Sequence, residues 1–240
     1  MFLTIAHRGD PLTHPENTLP SLRSAVEKGA NTLEFDLRLT KDGRVVLSHD
    51  ATLERVWGAD VPVAEVTLDE LRARPVDGYL VPTFDEVLAE FRDSMLLVDL
   101  KTDDVIEPAV RLLRRTGAFE RAIFVAARRG GQQALIKLRT DVPDATIGLD
   151  WTAAEPPPQE LLDAMRPQYF GPRWRVADAA CVPAMRGRGY RVWVGPDVDV
   201  PDLPAALAYG VDGIVSDDIG ALVRAAATQP AAGTPRPGAG

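Results

Sequence analysis

The stretch Thr32-Leu33-Glu34-Phe35-Asp36-Leu37 decides how the fold is read. It is a short apolar run with the make-up of a buried strand. Side chains alternate along a strand, so Glu34 and Asp36, two apart, project to the same side. Upstream lies a helical pattern with Leu19, Leu22, Ala25 and Val26 on one face and Gly29 as its stop. Before that comes another strand-like run, Phe2–Ala6. Downstream, Thr40-Lys41-Asp42-Gly43 predicts a tight turn leading into Val45–Ser48. Further strand candidates follow at Met95–Leu100, Ala122–Ala126, Thr146–Leu149, Gln168–Phe170, Arg191–Val194 and Gly213–Val215. Helical segments lie between them. Thr83 and Glu86 make a capping box that opens Phe84–Phe91. Asp104–Thr116, Gln132–Arg139, Glu160–Met165, Asp178–Arg186, Leu203–Tyr209 and Ile219–Ala227 complete the series.

Such alternation is the pattern of a parallel α/β fold, and 240 residues suit a single-domain (β/α)8 TIM barrel. The candidates exceed eight barrel places by one, and the surplus falls in the pair joined by Asp42-Gly43. Residues 1–227 are expected to form the barrel domain. From about 51 to 80 the rhythm breaks, with Trp57, Gly58 and two prolines, which predicts a small insertion after the third strand. Residues 228–240 are rich in Pro, Gly and Ala and are expected to be disordered.

Composition narrows the function. With 27 basic and 35 acidic residues the formal charge is −8, and there is no Lys/Arg-rich run, which argues against nucleic acid as a partner. A small anionic substrate stays compatible if the site itself supplies Arg, Lys or a metal ion. The single cysteine, Cys181, precludes an intrachain disulfide and favours a reducing compartment. Met1–Ala6 lacks a basic start and is too short in its apolar part for a signal segment. No apolar run approaches the ~18–20 residues of a membrane span. The expectation is a cytoplasmic protein without stable membrane insertion.

Barrel enzymes carry their chemistry at the carboxyl ends of the strands. Here those ends offer His7-Arg8, Glu34 and Asp36, His49-Asp50, and Asp99 with Lys101. Glu34 and Asp36 would repel one another unless a divalent cation sits between them or salt bridges to Arg8, Arg38 or Lys101 offset them. Asp99 and Lys101 repeat the two-residue spacing, as a third metal ligand beside a phosphate contact or as a plain buried ion pair. His7 and His49 each follow a strand close to acidic groups, and imidazole titrates near neutrality, which suits one to take a proton and the other to give one. Arg8 offers a planar fork for phosphate. Glu16 and Asn17 read either as site residues or as turn and cap residues before the first helix. Trp193 reads either as a cover for a ligand or as core. Asp217 and Asp218 end another strand and are candidates to support the site, while His14 is given no role.

These residues together resemble the glycerophosphodiester phosphodiesterase family. The blocks are His7-Arg8-Gly9, Pro15-Glu16-Asn17-Thr18, Gly29–Asp36, Thr40–Asp50, Val81–Leu88, Val192-Trp193 and Gly210–Asp217. The likeness extends from about residue 3 to 225, and is most specific in the first fifty residues. It implies a barrel that hydrolyses glycerophosphodiesters to glycerol 3-phosphate and an alcohol. By position it implies Glu34, Asp36 and Asp99 as ligands of a divalent cation, Mg²⁺ or Ca²⁺, and His7 and His49 as acid and base. It implies Arg8 and Lys101 as phosphate contacts and Trp193 as an aromatic residue lining the substrate site. Two departures stand out. Asp99 occupies a place that is usually Glu, so the cation must sit closer or a water must intervene. Val194 with Gly195-Pro196 replaces the usual Thr and polar continuation after Trp193. Related phospholipase D-type enzymes use Asp at the first of these places. A phospholipase D-like activity on lysophospholipids or sphingolipids is therefore the nearest alternative, favoured if Val56, Trp57, Val61 and Val63 form an exposed apolar face. A non-catalytic phosphate-binding barrel is the other. The released alcohol, the metal, the assignment of the two histidines and the oligomeric state are left open.

Overall fold

The structure, a computed structural model, describes residues 1–73 and 75–228. The tail expected to be disordered lies outside the described residues from 229 onward. Strand β1 (Leu3–His7) leads into helix α1 (Leu19–Glu27) and then β2 (Thr32–Leu39), which pairs parallel with β1. β3 (Val45–Leu47) follows, running antiparallel to β2 with Leu37 opposite Leu47 and Leu39 opposite Val45. This resolves the surplus strand. Five residues, 40–44, make the hairpin loop, with Gly43 at φ 73° and its N–H donating to the Thr40 carbonyl at 2.9 Å. A parallel neighbour would need a crossover of a dozen residues or more. β3 therefore stays outside the barrel and folds the chain back over its mouth.

The segment predicted as an insertion has elements of its own. It comprises β4 (Thr52–Leu53), α2 (Glu54–Trp57), β5 (Ala59–Pro62) and α3 (Leu68–Arg72). Leu53, Trp57, Val63, Val66, Leu68 and Leu71 pack with Val46 and Val81 into a satellite core. The exposed apolar face that would favour a phospholipase D-like activity is therefore not formed by these residues. Trp57 and Val63 are buried, and Val56 and Val61 pack partly buried against the same cluster. A two-stranded hairpin is not stable alone, so these side chains serve as its core.

The barrel resumes after α4 (Phe84–Glu90) with β6 (Met95–Leu100), which pairs with β2. Then come α5 (Ile106–Thr116), β7 (Ala122–Val125), α6 (Gly131–Asp141), β8 (Thr146–Trp151), α7 (Gln159–Met165) and β9 (Tyr169–Pro172). α8 (Cys181–Gly187), β10 (Arg191–Val194), α9 (Leu203–Ala208), β11 (Gly213–Ser216) and α10 (Ile219–Ala227) complete the chain. β11 pairs with β1 and closes a ring of parallel strands in the order β1-β2-β6-β7-β8-β9-β10-β11. α8 starts three residues later than its pattern predicted, because the Asp178 carboxylate accepts from the Ala180 and Cys181 amides.

Two apolar layers hold the ring. Leu33, Phe35 and Leu37 of β2 face outward and pack with Leu22, Phe84 and Val87 of the helices. Leu3, Ile5, Leu97, Ile123, Val125, Tyr169, Trp193 and Val215 fill the lumen. The Trp193 indole fits because β8 and β9 present glycines to it. A Cβ on Gly148 or Gly171 would lie 2.2 Å from the ring. α1 departs from its predicted face, since Val26 is exposed while Ser21 and Ser24 are buried. Both hydroxyls point at the first loop. Ser21 Oγ donates to the Arg8 carbonyl and accepts from the Asp10 amide, and Ser24 Oγ donates to the Asp10 carboxylate. Polar residues hold that loop in place, and the loop carries part of the site.

Candidate active site

Alternation along β2 sends Glu34 and Asp36 to the lumen side, opposite the outward-facing Leu33, Phe35 and Leu37. β6 lies in register beside it, with Asp36 opposite Asp99. One oxygen from each of Glu34, Asp36 and Asp99 lies within 4.8 Å of the others, and all three residues are buried. The shorter Asp99 side chain still reaches the cluster. Its Oδ2 accepts from Lys101 Nζ at 2.8 Å and its Oδ1 from the Ala127 amide at 3.1 Å.

The first loop wraps this cluster from the other side. Arg8 (φ 57°) and Asn17 (φ 55°) adopt the left-handed conformation, which costs about 1–3 kcal/mol at a non-glycine residue and persists only when its surroundings impose it. Here the imposing contacts are visible. The Arg8 amide donates to Glu34 Oε2 at 2.8 Å, and Asn17 Nδ2 donates to Asp36 Oδ2 at 2.8 Å. The Asp36 amide in turn donates to Asn17 Oδ1, and the Asn17 amide to the Arg8 carbonyl. Gly9 (φ 91°) cannot be replaced, since a Cβ would meet the Ser21 and Leu22 backbone at 2.7 and 2.9 Å.

Charge in the cluster is unequally shared. Burial would raise the Asp36 carboxyl, but Lys101 and then Arg8 hold it below its ordinary range. Lys101 Nζ is 2.9 Å from Asp36 Oδ1 and Arg8 Nε is 3.2 Å from Asp36 Oδ2. Glu34 is the opposite case. Burial, and then the charges of Asp36 and Asp99, push it well above the usual carboxylate range. An acid with a raised folded pKa stabilises the fold fully only below its unfolded value of about 4.3. That stability is lost as pH rises through the folded value. Glu34→Gln keeps an acceptor for the Arg8 amide and removes the charge. In chelator-treated protein at pH 8 it is expected to raise Tm by about 2–4 °C, the equivalent of ~1 kcal/mol in a chain of this size. The gain should disappear near pH 4 in melting curves run across the range. A lower Tm for the variant at pH 8 would contradict it.

Both histidines are anchored in the same way. His7 Nδ1 is 2.6 Å from Asp217 Oδ1, and His49 Nδ1 is 2.7 Å from Asp50 Oδ1. A carboxylate on Nδ1 sets the tautomer and leaves Nε2 as the nitrogen offered to a ligand. His49 reaches the mouth through the β2–β3 hairpin. The Ser48 amide donates to the Asp36 carbonyl, and the Arg38 guanidinium donates twice to the His49 carbonyl, at 2.7 and 3.1 Å. Arg55 of the insertion bridges Asp50 and Glu16, and Glu16 pairs with Arg8 at 3.0 Å. The insertion thus connects the arginine beside β1 to the imidazole beyond β3. Burial opposes but Arg55 and His49 hold Asp50 below its ordinary range, and His7 does the same for Asp217.

The eight residues singled out from the sequence, His7, Arg8, Glu34, Asp36, His49, Asp99, Lys101 and Trp193, all line one cleft at the carboxyl ends of the strands. Trp193 is 1% exposed and belongs to the lumen core, so it lines the floor of the cleft. Asp217 stands behind His7, and Asp218 caps α10 through the Ala221 amide. His14 contacts the Tyr79 hydroxyl at 2.9 Å. Two charged residues of the cleft went unread in the sequence, Asp150 and Arg173. Asp150 carries the same strand-end signal as the others, one residue past the apolar run Thr146–Leu149. Burial, and then the charge of Asp99, raise its carboxyl to about 7.

A closed parallel barrel that gathers buried carboxylates, two anchored imidazoles and two cations at its carboxyl end has the form of an enzyme for anionic substrates. The chain matches the Glycerophosphoryl diester phosphodiesterase family over residues 7–221 and belongs to it. It is a phosphoric diester hydrolase. A glycerophosphodiester phosphodiesterase of Caldanaerobacter subterraneus is 27% identical over 235 residues, spanning 92% of this chain and 96% of that one. A human lysophospholipase D is 28% identical over 155 residues, 58% of this chain and 49% of that one. The phosphodiesterase of Oleispira antarctica solved with the product sn-glycerol-3-phosphate superposes with a TM-score of 0.84 at 23% identity, covering 93% of this chain and 96% of that one.

Proposed function

We propose that this protein hydrolyses glycerophosphodiesters to glycerol 3-phosphate and an alcohol. A divalent cation held by Glu34, Asp36 and Asp99 and the histidine pair His7 and His49 would carry the chemistry. The observation behind this reading is the acidic cluster in a cleft that also holds two imidazoles, each tethered through Nδ1. Several features of the cluster suit a cation. Its donors are all carboxylate oxygens, which fits hard ions such as Mg²⁺ or Ca²⁺. Asp36 Oδ1 has an ion-pair contact to Lys101 but no hydrogen bond, and it is fully buried. Burial and the charges of Asp36 and Asp99 resist ionisation of Glu34, a cost that a cation beside it would offset.

When bound there, the ion supplies Lewis-acid polarisation of a phosphoryl oxygen. The chain's own residues do the rest. Arg8 and Lys101 neutralise the phosphate and the charge that grows in the transition state. One imidazole, through Nε2, removes a proton from the attacking water, or from a neighbouring glycerol hydroxyl whose attack forms a cyclic phosphate that water then opens to glycerol 3-phosphate. The other delivers a proton to the departing alkoxide, so the P–O bond breaks to a neutral alcohol. Asp217 and Asp50 hold the two rings in the tautomer this requires. The proposed catalytic unit is residues 1–227, and a cytoplasmic location belongs to the same reading, supported by the lone cysteine. Among the described residues no helix is long and apolar enough to cross a membrane.

The direct test is hydrolysis of glycerophosphocholine with and without chelator, with phosphorus NMR of the products. Glycerol 3-phosphate that forms only in the presence of Mg²⁺ or Ca²⁺ is expected. Metal binding without turnover over a panel of diesters would instead support the phosphate-binding barrel. A second reading, action on lysophospholipids, has one feature in its favour, since Pro11 and the 67%-exposed Leu12 line the rim beside His7 and Arg8. Lysophosphatidylcholine turned over faster than glycerophosphocholine would decide for it.

A further inference from the structure

The mechanism proposed above leaves two charged residues of the cleft without a task, Asp150 and Arg173. They close neighbouring strands. In the β8–β9 register Asp150 is opposite Gly171, two residues before Arg173. Gly148 and Gly171 face the Trp193 ring in the lumen, so strand alternation turns Asp150 and Arg173 to the inside as well. Both line the same cleft as the acidic cluster, and both are half-buried.

Neither side chain hydrogen-bonds to any described residue, and the two do not pair with each other, although their charges lie close enough to interact. Their polar ends stay open to the cleft, which leaves both charges free for a ligand. The other charges of the cleft do find partners. Asp99 has Lys101 and an amide, Arg8 has Glu16 and Asp36, and both histidines have carboxylates. A carboxylate and a guanidinium held apart on one wall match a ligand that has an ammonium and a carboxylate a few bonds apart. Charge-assisted hydrogen bonds to both would give such a ligand its selectivity. A quaternary ammonium has no N–H to donate and gains little from Asp150. A plain ammonium satisfies Asp150 but leaves Arg173 unmatched.

We infer that Asp150 and Arg173 form the leaving-group subsite and select a diester whose alcohol carries an amino-acid zwitterion, as in glycerophosphoserine. This deepens the function proposed above and rests on it. The test compares kcat/KM for glycerophosphoserine, glycerophosphoethanolamine and glycerophosphocholine in the wild type, Asp150→Asn and Arg173→Gln. The wild type is expected to prefer the serine diester over the choline diester by roughly tenfold or more, the scale of a hydrogen bond to a charged group. Asp150→Asn should lower both the serine-to-choline and ethanolamine-to-choline ratios about tenfold, mainly through KM. Arg173→Gln should lower only the first of these ratios.

A wild type that turns over the choline diester as well as the serine diester overturns the subsite and leaves the hydrolase reading standing. Equal losses on all three substrates in both variants do the same, since they would place Arg173 and Asp150 on the shared phosphate. Because the wild-type ratios alone decide the preference, a variant that fails to fold does not shelter the proposal. No turnover of any of the three by metal-loaded wild type overturns the function and the subsite together.

Discussion

Asp36→Asn is expected to lower kcat/KM for glycerophosphocholine by ~10³–10⁴, because the proposed Lewis-acid polarisation, worth several kcal/mol, would depend on the carboxylate cluster. Asp36 is the hub of that cluster. Its two oxygens receive Asn17 and the ionic contacts of Arg8 and Lys101, and its side chain is essentially inaccessible. Removing its charge takes a counter-ion from two partly buried cations, Arg8 and Lys101. The variant should therefore also lose stability, since breaking a buried ion pair costs about 3–5 kcal/mol when one partner is removed. Calorimetric titration separates the two effects. Folded Asp36→Asn, judged by its circular dichroism, should show no heat on addition of Mg²⁺ or Ca²⁺ where the wild type does. Variant turnover within a factor of three of wild type would remove Asp36 from the mechanism. Treatment of the wild type with chelator should reproduce the loss, and returning the ion should reverse it.

The second large effect concerns the imidazoles. His7→Ala and His49→Ala should each reduce kcat by ~10²–10⁴, the usual contribution of a positioned acid or base. Both rings stand at the cleft and not in the core, so Tm should move by less than a few degrees. Each variant should also flatten one limb of the bell-shaped pH–rate profile, and the limb that vanishes assigns acid or base to that residue. Wild-type profiles and rates in both variants would show that proton transfer is carried elsewhere. Asp217→Asn and Asp50→Asn act one contact further out, through ring orientation, and their losses should be smaller.

How legible the site was depends on what kind of information each residue needed. Glu34 and Asp36 could be paired from spacing alone, because the two-residue period of a strand is a local property. His7, His49, Asp99 and Lys101 could be nominated because each lies at the end of an apolar run or just after it, and parallel strands deliver their ends to one face. The same signal is present for Asp150, one residue beyond the apolar run Thr146–Leu149. Trp193 could not be settled between floor and lid. That choice rests on Gly148 and Gly171, 45 and 22 residues before it in the chain, leaving room for the indole. The hydrophobic residues of the insertion misled in the same way. Valine and tryptophan in a short segment look available to a lipid until their packing partners Val46 and Val81 are known.

The amino-acid order alone determined the alternation of strands and helices, the hairpin after the second strand, and which polar side chains end up at strand ends. These depend on side-chain periodicity and turn chemistry within about ten residues. Tertiary structure alone decided that β3 stands outside the ring and that the Nδ1 atoms of His7 and His49 meet Asp217 and Asp50. It alone decided that Glu34 and Asp36 differ in acidity, and that Asp150 and Arg173 face the cleft without partners. The reason is that electrostatics and packing depend on distances across the barrel. Closing the ring brings residues some 210 positions apart, such as His7 and Asp217, to within 2.6 Å.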